Sequence, residues 1–395
     1  MDIYKKTITI KIYNVDNKFI GVWKDFTFDG FSKQLNGGLG QCVIKLAKGF
    51  NYQGSELKLN NQVRIYVTDR DTINADNGNK EKLIYTGYIS KYESILTSDK
   101  EEILVYLLGY HTKFTQDIYK NGTDISINQP EPLTDPAVDI GTMMANIIER
   151  YIAETVNSPI NYNLAGLKTT STTGKYFFEL MTYLEAINAV KEMAPNDWYW
   201  YVGEDLLFEF TNKPTTATHD FILGKHFSSV TVERSMEKIK NAMMIKSNSV
   251  DAGNLLKLYS DTGSIDDYGR RIEKKYDEQL YDEVTANKIG EEFVNNHKDI
   301  DIRVNCVIFD NNYHDSFGYD IESINPGDTC TFRGFNDSYI DIFKENMLIT
   351  SVKYDLEKVF LTIEPMKAGI VTRQEKSIRG IDEIRRQDSN AVYTV

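Results

Sequence analysis

Short runs of alternating apolar and polar residues fill the first part of the chain. In 7–13 (TITIKIY) the three isoleucines stand two residues apart. Similar runs follow at 41–46, 62–67, 83–89 and 103–108, separated by polar segments at 69–81 and 97–101. Because successive side chains of a strand point to opposite faces, this spacing predicts strands with one buried face. Several short strands with turns between them predict a small barrel or sandwich over residues 1–115.

Apolar residues then recur every three or four positions, which predicts amphipathic helices. The first helix is expected at about 136–155, where Asp135-Pro136 supplies an N-cap acceptor followed by a proline at the first helical position. The second is expected at about 178–194 and ends at Pro195-Asn196. A third is expected at about 277–296, with Leu280, Val284, Ile289 and Phe293 facing inward.

Aromatic and apolar residues between and after these helices predict further strands. Segment 198–210 (WYWYVGEDLLFEF) reads as a hairpin with its turn at 203–205. Strands are predicted from 226 to 260 and at 301–309, 328–333, 346–354 and 358–364. The polar last residues carry one short apolar stripe, Ile378, Ile381 and Ile384, which suits either partner docking as a short helix or a frayed terminus.

The predicted fold class is therefore β-rich α+β, with two small β-barrel or sandwich domains flanking an α/β insert. The expected domains are 1–115 (β), 116–225 (α/β insert), 226–370 (second β domain, including the third helix) and 371–395 (tail). One weak internal similarity supports two related β regions, because Lys91-Tyr92-Glu93 and Lys353-Tyr354-Asp355 each lie between apolar strands. Either the similarity is chance, or the two β regions are copies of one unit.

Charge and composition exclude several classes of protein. The 395 residues include 45 Lys and Arg against 58 Asp and Glu, a net charge of −13, which disfavours coating nucleic acid or docking to anionic lipid. No run approaches the roughly 20 apolar residues of a membrane span, and the N-terminus does not resemble a signal peptide. Three cysteines, Cys42, Cys306 and Cys330, cannot build a disulfide framework, and we expect buried free thiols in a protein made in a reducing compartment.

Motifs for catalysis or metal binding do not emerge. His219-Asp220 with His226, and Asp310 with His314-Asp315, are local clusters without a recognised ligand spacing, and we expect solvated loop residues there. The glycine-rich segment 36–40 (NGGLG) lacks the lysine of a phosphate loop and leads into a strand, so a bend or bulge is expected. No GxSxG elbow exists. We therefore expect no catalytic, cofactor-binding or metal-binding residues.

One alternative to that view involves the tryptophans of the predicted hairpin. Trp198 and Trp200 either line a glycan or peptide groove or pack in the core across the hairpin. Because carboxylates are plentiful, a glycosidase-like pair of acids is not excluded by counting.

The order of features resembles the phage tail hub family, the tail-tip or baseplate-hub proteins at the distal end of the tail tube. Segment 85–89 (YTGYI) is similar to the family's F-x-G-x-I strand, and 198–208 is similar to its tryptophan hairpin. Segment 268–271 (YGRR) precedes a predicted helix, as in many hubs. Segments 325–329 (NPGDT) and 348–354 (LITSVKY) are similar to the closing pattern of the family.

This resemblance implies a homotrimer in which each subunit supplies two tube-like domains, so that three chains match a sixfold tube. It further implies a location in the virion tail, at the tip or baseplate, of a protein made in the host cytoplasm. The implied partners are the tail tube or distal ring protein, the tape-measure protein and a separate tip or fibre protein. DNA would pass only in transit through the lumen, and no membrane insertion or cofactor is implied. Two alternatives remain: a tail-tip hydrolase of cell wall or glycan, and a carbohydrate-binding host-recognition module.

Overall fold

The architecture was analysed in a computed structural model of the whole chain. The structure describes residues 6–47, 54–68, 81–96, 101–119, 138–155, 158–174, 176, 178, 181–195, 197–247, 255–277, 280, 283–310, 318–335 and 346–365. Among these residues, no helix is both long enough and apolar enough to cross a membrane.

Seven strands form the N-terminal β region. They are β1 (Thr7–Tyr13), β2 (Phe19–Trp23), β3 (Phe26–Gln34), β4 (Gly37–Ala47), β5 (Gln62–Thr68), β6 (Lys82–Leu96) and β7 (Glu101–Gly109). The pairing order is β2-β1-β5-β6-β7-β4-β3, and every pair is antiparallel. Alternation decides which face is buried, since Ile10 and Ile12 of β1 lie in the core as their spacing predicts.

The middle of the chain contains two helices and a hairpin. Its elements are β8 (Val138–Asp139), α1 (Ile140–Glu154), β9 (Asn161–Leu167), β10 (Thr173–Gly174), α2 (Tyr183–Met193), β11 (Trp198–Val202) and β12 (Leu207–Asn212). β11 and β12 pair in antiparallel fashion, which confirms the predicted hairpin.

Both helices begin at capped residues inside the predicted ranges. The Asp139 side chain accepts a hydrogen bond from the Thr142 N–H, so α1 begins four residues after the predicted start, and Asp135-Pro136 lies outside the described residues. For α2, Thr182 and Glu185 form a reciprocal capping box that satisfies two backbone N–H groups. The apolar stripe of α1 is buried as predicted, from Ile140 to Tyr151.

The C-terminal part returns to strands. Its elements are β13 (His219–Ile222), β14 (Val230–Ser235), β15 (Ala242–Ser247), β16 (Leu255–Ser260), α3 (Thr262–Tyr268), β17 (Ile272–Tyr276), α4 (Glu283–His297), β18 (Asp301–Phe309), β19 (Thr329–Arg333), β20 (Met347–Tyr354) and β21 (Lys358–Pro365). The third predicted helix is α4, but Leu280 lies before it and Val284 is 62% exposed. The predicted inward position of Val284 was wrong, because the buried face of α4 runs through Ala286, Ile289 and Val294.

Five strands of the N-terminal region recur in the C-terminal region with the same order and direction. The path β3-β4-β7-β6-β5 corresponds to β14-β18-β21-β20-β19, and all eight pairings are antiparallel. Within the described residues this pairing is an open path, without closure into a barrel. The predicted internal repeat is therefore present in the strand topology.

Individual hydrogen bonds fix the register of the repeat. At a bulge in β6 the Ser90 hydroxyl donates to the Tyr106 carbonyl oxygen at 3.0 Å. At the matching bulge in β20 the Thr350 hydroxyl donates to the Thr362 carbonyl oxygen at 3.1 Å. Ser90 thus corresponds to Thr350. The sequence alignment of Lys91-Tyr92-Glu93 with Lys353-Tyr354-Asp355 was two residues out of register, because it did not include the bulge.

The turns before β5 and β19 repeat as well. Asn60 N–H donates to the Ile89 carbonyl, and Gly327 N–H donates to the Ile349 carbonyl, both at 2.9 Å. Asn60 and Gly327 both have positive φ, 67° and 96°, a backbone conformation that asparagine and glycine tolerate better than other residues. The same turn geometry is therefore kept with two different residues.

The described residues form two large hydrophobic cores. One is formed by the repeated strands, with contributions from β1 to β7 and from β18 to β21. The other gathers α1, α2, the β11–β12 hairpin, β15 and α4. A small third cluster, Leu35, Tyr199, Tyr201 and Leu348, joins the hairpin to both repeats.

Candidate functional site

The two repeats are joined edge to edge by a short antiparallel pairing between β3 and β20. We call this pairing of residues 31–34 with residues 351–354 the repeat junction. Ser351 lies opposite Gln34, and Tyr354 lies opposite Phe31. Because main-chain hydrogen bonds continue across it, the junction turns two sheets into one.

Aromatic packing buries the centre of the repeat junction. The Phe31 and Tyr354 rings stack with centroids 5.1 Å apart, and the Tyr85 ring lies 4.9 Å from that of Phe31. Gly30, with φ of 82°, passes so close that a Cβ there would lie 2.0 Å from the Tyr354 carbonyl oxygen. Only glycine therefore suits this position on both conformational and steric grounds.

A buried ion cluster lies beneath the same aromatic pair. The Tyr354 hydroxyl donates to Glu322 at 2.8 Å, Lys6 lies 2.8 Å from Asp310, and Lys6 also binds Glu322. Burial opposes the charge on Lys6, but the two carboxylates outweigh it and raise the lysine pKa. Burial likewise favours neutral Glu322, yet Lys6 outweighs it and lowers the Glu322 pKa. Lys6, the residue directly before β1, is thereby held to the second repeat by charge.

Lys33 brings the hairpin of the insert to the repeat junction. Its buried ammonium donates to Asn325 at 2.8 Å and lies 3.4 Å from Glu204 in the β11–β12 turn. Burial lowers the Lys33 pKa, and the Glu204 carboxylate opposes that shift. Asn36 also accepts a hydrogen bond from the Trp200 N–H at 3.1 Å, next to a parallel pairing of β11 with β4. Both repeats and the insert thus meet around residues 33–38.

His111 borders this meeting point from the short 3-10 helix Tyr110–Thr115. The side chain is buried, and a Cβ added at Gly38 would lie 3.1 Å from its Nδ1. Burial lowers the His111 pKa to about 4, because the protein interior disfavours the charged imidazole. The imidazole is therefore neutral at neutral pH.

The two tryptophans of the hairpin lie in the second core. The Trp200 ring stacks on Phe208 with centroids 5.8 Å apart, and the Trp198 ring lies 5.0 Å from that of Phe210. Both side chains are buried, so their faces are occupied by protein. The glycan-contact alternative stays a prediction for these residues.

The cysteines and the glycine-rich segment occupy structural positions. Cys42, Cys306 and Cys330 are buried free thiols, as predicted, and burial raises the pKa of each. Segment 36–40 follows a tight turn and opens β4, where the Gly38 Cβ position lies 2.8 Å from the Val202 carbonyl oxygen. The glycine at this position permits close approach of β11.

The two histidines of the first cluster, His219 and His226, make contacts within the protein. His219 lies 2.9 Å from the Tyr319 hydroxyl and 3.1 Å from Asp328, so it is a buried residue and not the solvated loop residue that we expected. His226 and Asp310 are buried too, contrary to the same expectation, and His226 accepts a hydrogen bond from the Ile222 N–H. Among the described residues no three His, Cys, Asp or Glu side chains group as metal ligands. His314, Asp315 and the stripe Ile378, Ile381 and Ile384 lie outside the described residues.

Sequence reasoning missed the repeat junction. Segment 26–34 was not predicted as a strand, because Asp29-Gly30 interrupts its alternation. One signal was available: Phe31, Lys33 and Leu35 are spaced two residues apart, as on one face of a strand, and all three are buried. A lysine at a core position between two apolar residues marks an unusual strand edge.

The whole architecture matches that of known phage tail proteins. No protein-family model and no curated protein matches the sequence. The structure is similar to a tail protein from Neisseria meningitidis MC58 (TM-score 0.56, 9% identity, covering 91% of this chain and 96% of that one). It is also similar to the 43 kDa tail protein of prophage MuSo2 from Shewanella oneidensis (0.53, 14%, 92% and 100%) and to prophage tail protein gp18 from Listeria monocytogenes EGD-e (0.53, 11%, 95% and 99%).

The protein therefore has the β-rich α+β fold of phage tail proteins. The match covers nearly the full length of both chains in each comparison. The resemblance expected from the sequence is confirmed at the level of the fold.

Proposed function

We propose that this chain is a structural protein of a phage or phage-like tail, a homotrimeric hub at the distal end of the tail tube. The observation that carries the proposal is the tandem repeat: one chain contains the same five-stranded unit twice, joined edge to edge. Three such chains present six equivalent units around one axis, which suits a sixfold tube on one side and a threefold tip on the other. The fold shared with tail proteins supports this role.

The proposed partners are the tail tube or a distal ring protein, the tape-measure protein and a separate tip or fibre protein. In this proposal the protein works through interfaces, not catalysis, and lies in the virion tail. A net charge of −13 suits a lumen through which DNA passes without adhering. The division into domains at 1–115, 116–225, 226–370 and 371–395 is part of the same proposal.

The test is the mass and symmetry of the purified protein. Light scattering on a sizing column is expected to give about 136 kDa, three times the 45.4 kDa of one chain. Negative-stain electron microscopy is expected to show rings with a central pore. A monomer at all accessible concentrations, also in the presence of the tube protein, contradicts the proposal.

Clearing of host cell walls in a zymogram would favour the hydrolase alternative. Glycan-array binding that is lost in Trp200→Ala, with the folded state retained, would favour the carbohydrate-binding alternative.

A further inference from the structure

The repeat junction joins the β3 edge of the first repeat to the β20 edge of the second. Because the two repeats share one topology, each of these edges has an equivalent edge in the other repeat. β20 of the second repeat corresponds to β6 of the first, and β3 of the first corresponds to β14 of the second. Inside one chain β20 pairs with β3. The equivalent pairing, β6 with β14, is not made within the described part of the chain.

Within the described residues, part of β6 and one side of β14 lack a strand partner. β6 pairs with β5 only as far as Tyr88, and from there to Leu96 its described partner is β7 alone. β14 pairs only with β18 among the described strands. Unpaired strand edges present N–H and C=O groups that another strand can use.

Burial differs sharply between the internal junction and its counterpart. Val352 and Tyr354 of β20 are 1% and 3% exposed, because β3 covers them. Tyr92, which corresponds to Val352, is 46% exposed, and Leu96 is 63% exposed. Tyr92 nevertheless lies on the core face, since it stands opposite buried Val105. The β6 edge thus carries apolar side chains on the face that a neighbouring strand would cover.

One copy of the chain does not bring these two edges together. β14 and β6 stand at opposite ends of a path of eight strands, β14-β18-β21-β20-β3-β4-β7-β6. With about 4.8 Å between neighbouring strands, the two edges are on the order of 30 Å apart along the sheet. Among the described strands, neither edge therefore receives a partner from its own copy.

We propose that a second copy of this chain completes each edge: β6 of one copy pairs with β14 of the next in antiparallel fashion and repeats the junction between molecules. This inference rests on the proposed function and specifies its subunit interface. The contact is heterologous, since two different surfaces meet, and such contacts close into a ring when the rotation permits. Three copies contribute three such junctions, alternating with three internal ones.

The internal junction also supplies the register. The shared bulge equates Thr350 with Ser90, and therefore Tyr354 with Ser94. The bulge also makes Leu107 of β7 equivalent to Ile363 of β21. Leu107 pairs with Cys42, which pairs with Phe31. Ile363 pairs with Val304, which pairs with Val232, so Phe31 and Val232 are equivalent.

Since Tyr354 lies opposite Phe31, Ser94 of one copy is placed opposite Val232 of the next. Antiparallel pairing then places Leu96 opposite Val230. Val230 and Val232 are partly buried against the first core, so Leu96 gains an apolar neighbour.

The same register places Glu93 opposite Glu233. Glu93 already has a cation within its own copy, because Lys91 lies 2.6 Å away. Arg303 lies opposite Glu233 on β18 and forms its ion pair with Asp301. Like charges opposite each other weaken a strand pair unless such neighbours offset them. Lys91 beside Glu93 and Arg303 on the strand next to Glu233 place positive charge close to this pair, which reduces the repulsion.

Disulfide cross-linking tests the pairing and its register. Directly opposite residues in antiparallel strands have Cα atoms about 4.5–5.5 Å apart, which a disulfide spans. Ser94→Cys with Val232→Cys in one chain is expected to give a covalent trimer under mild oxidation on a non-reducing gel. Leu96→Cys with Val230→Cys is a second in-register pair, in case the first disturbs folding.

The matched control is Leu96→Cys with Val232→Cys, two residues out of register. Its diagonal spacing of about 7–8 Å is too long for efficient bonding, so cross-linking at least tenfold slower is expected. The three native thiols are buried and need not be removed. Thermal melts establish that each variant folds.

The outcomes separate this inference from the proposed function. A trimer by light scattering with neither in-register pair cross-linking overturns the edge pairing and leaves the hub proposal intact. A ladder that extends beyond three chains supports the edge pairing and overturns the threefold hub. Equal cross-linking of the control pair overturns the register and with it the inference, and a monomer without cross-links overturns both proposals.

Discussion

His111 predicts a specific loss of stability on mild acidification. Burial lowers the pKa of its imidazole to about 4, against about 6.5 for an unperturbed histidine. The unfolded chain therefore binds a proton at a pH where the folded chain does not. Because the folded pKa is depressed, the stabilising contribution is complete above pH 6.5 and declines as the pH falls towards 4. Below about pH 4 the imidazole is protonated in both states, so His111 causes no further loss of stability.

The magnitude follows from the size of the shift. At about 1.36 kcal/mol per unit, a shift from 6.5 to about 4 corresponds to a loss of roughly 3 kcal/mol across the whole window. The same two values give a loss of about 2 kcal/mol between pH 7 and pH 5. For a domain with the usual stability of about 5–15 kcal/mol, that loss is readily measured.

The assay is urea unfolding at pH 7, 6 and 5, at one protein concentration so that association contributes equally. His111→Gln, which does not titrate, is expected to show about 2 kcal/mol less destabilisation between pH 7 and 5 than the natural chain. His226 and His297, whose pKa values burial also lowers, are present in both proteins and cancel. Equal losses in the two proteins, within about 0.5 kcal/mol, would refute the reasoning.

Two further predictions concern the repeat junction. Phe31→Ala removes a buried ring that packs on Tyr354 and Tyr85, so the free energy of unfolding in urea is expected to fall by about 3–5 kcal/mol. The control is the same change at Phe19, which is 59% exposed. Equal effects at both positions would contradict the role of the junction. Glu322 has a lowered pKa, so its contribution is present above the usual glutamate value and is lost as the pH falls through the folded value. Glu322→Gln should therefore lower the melting temperature at pH 7, because it leaves Lys6 with one carboxylate fewer. It should also make the melting temperature fall less steeply below about pH 4.5 than in the natural chain. An unchanged dependence of the melting temperature on pH would count against the ion cluster.

Local patterns predicted most elements but not how they join. Alternation identified β1 and β5, and three- and four-residue spacing identified the buried face of α1, because both follow from the geometry of a single element. The hairpin at 198–210 was predicted because its turn and its aromatic residues lie close together in sequence. Helix starts were less accurate, since Asp139 caps α1 where Asp135-Pro136 gave the stronger sequence signal.

The repeat junction depends on information that no local pattern holds. β3 was missed because Gly30 and two register shifts break its alternation. Its partner β20 lies roughly 300 residues further along the chain, and the alignment of the two repeats depends on the bulge at Ser90 and Thr350. The burial of Lys33 likewise depends on Asn325 and Glu204, which come from distant segments.

The distance between β3 and β20 in the sequence has a consequence for synthesis on the ribosome. Domains fold as units while the rest of the chain is still being made, at about 5–20 residues per second. The N-terminal strands are complete long before residues 351–354 emerge, so the edge of β3 waits for tens of seconds with no partner from its own chain. During that interval, a neighbouring nascent chain is a competing partner, and Lys33 places a charge on the waiting edge that discourages such mispairing.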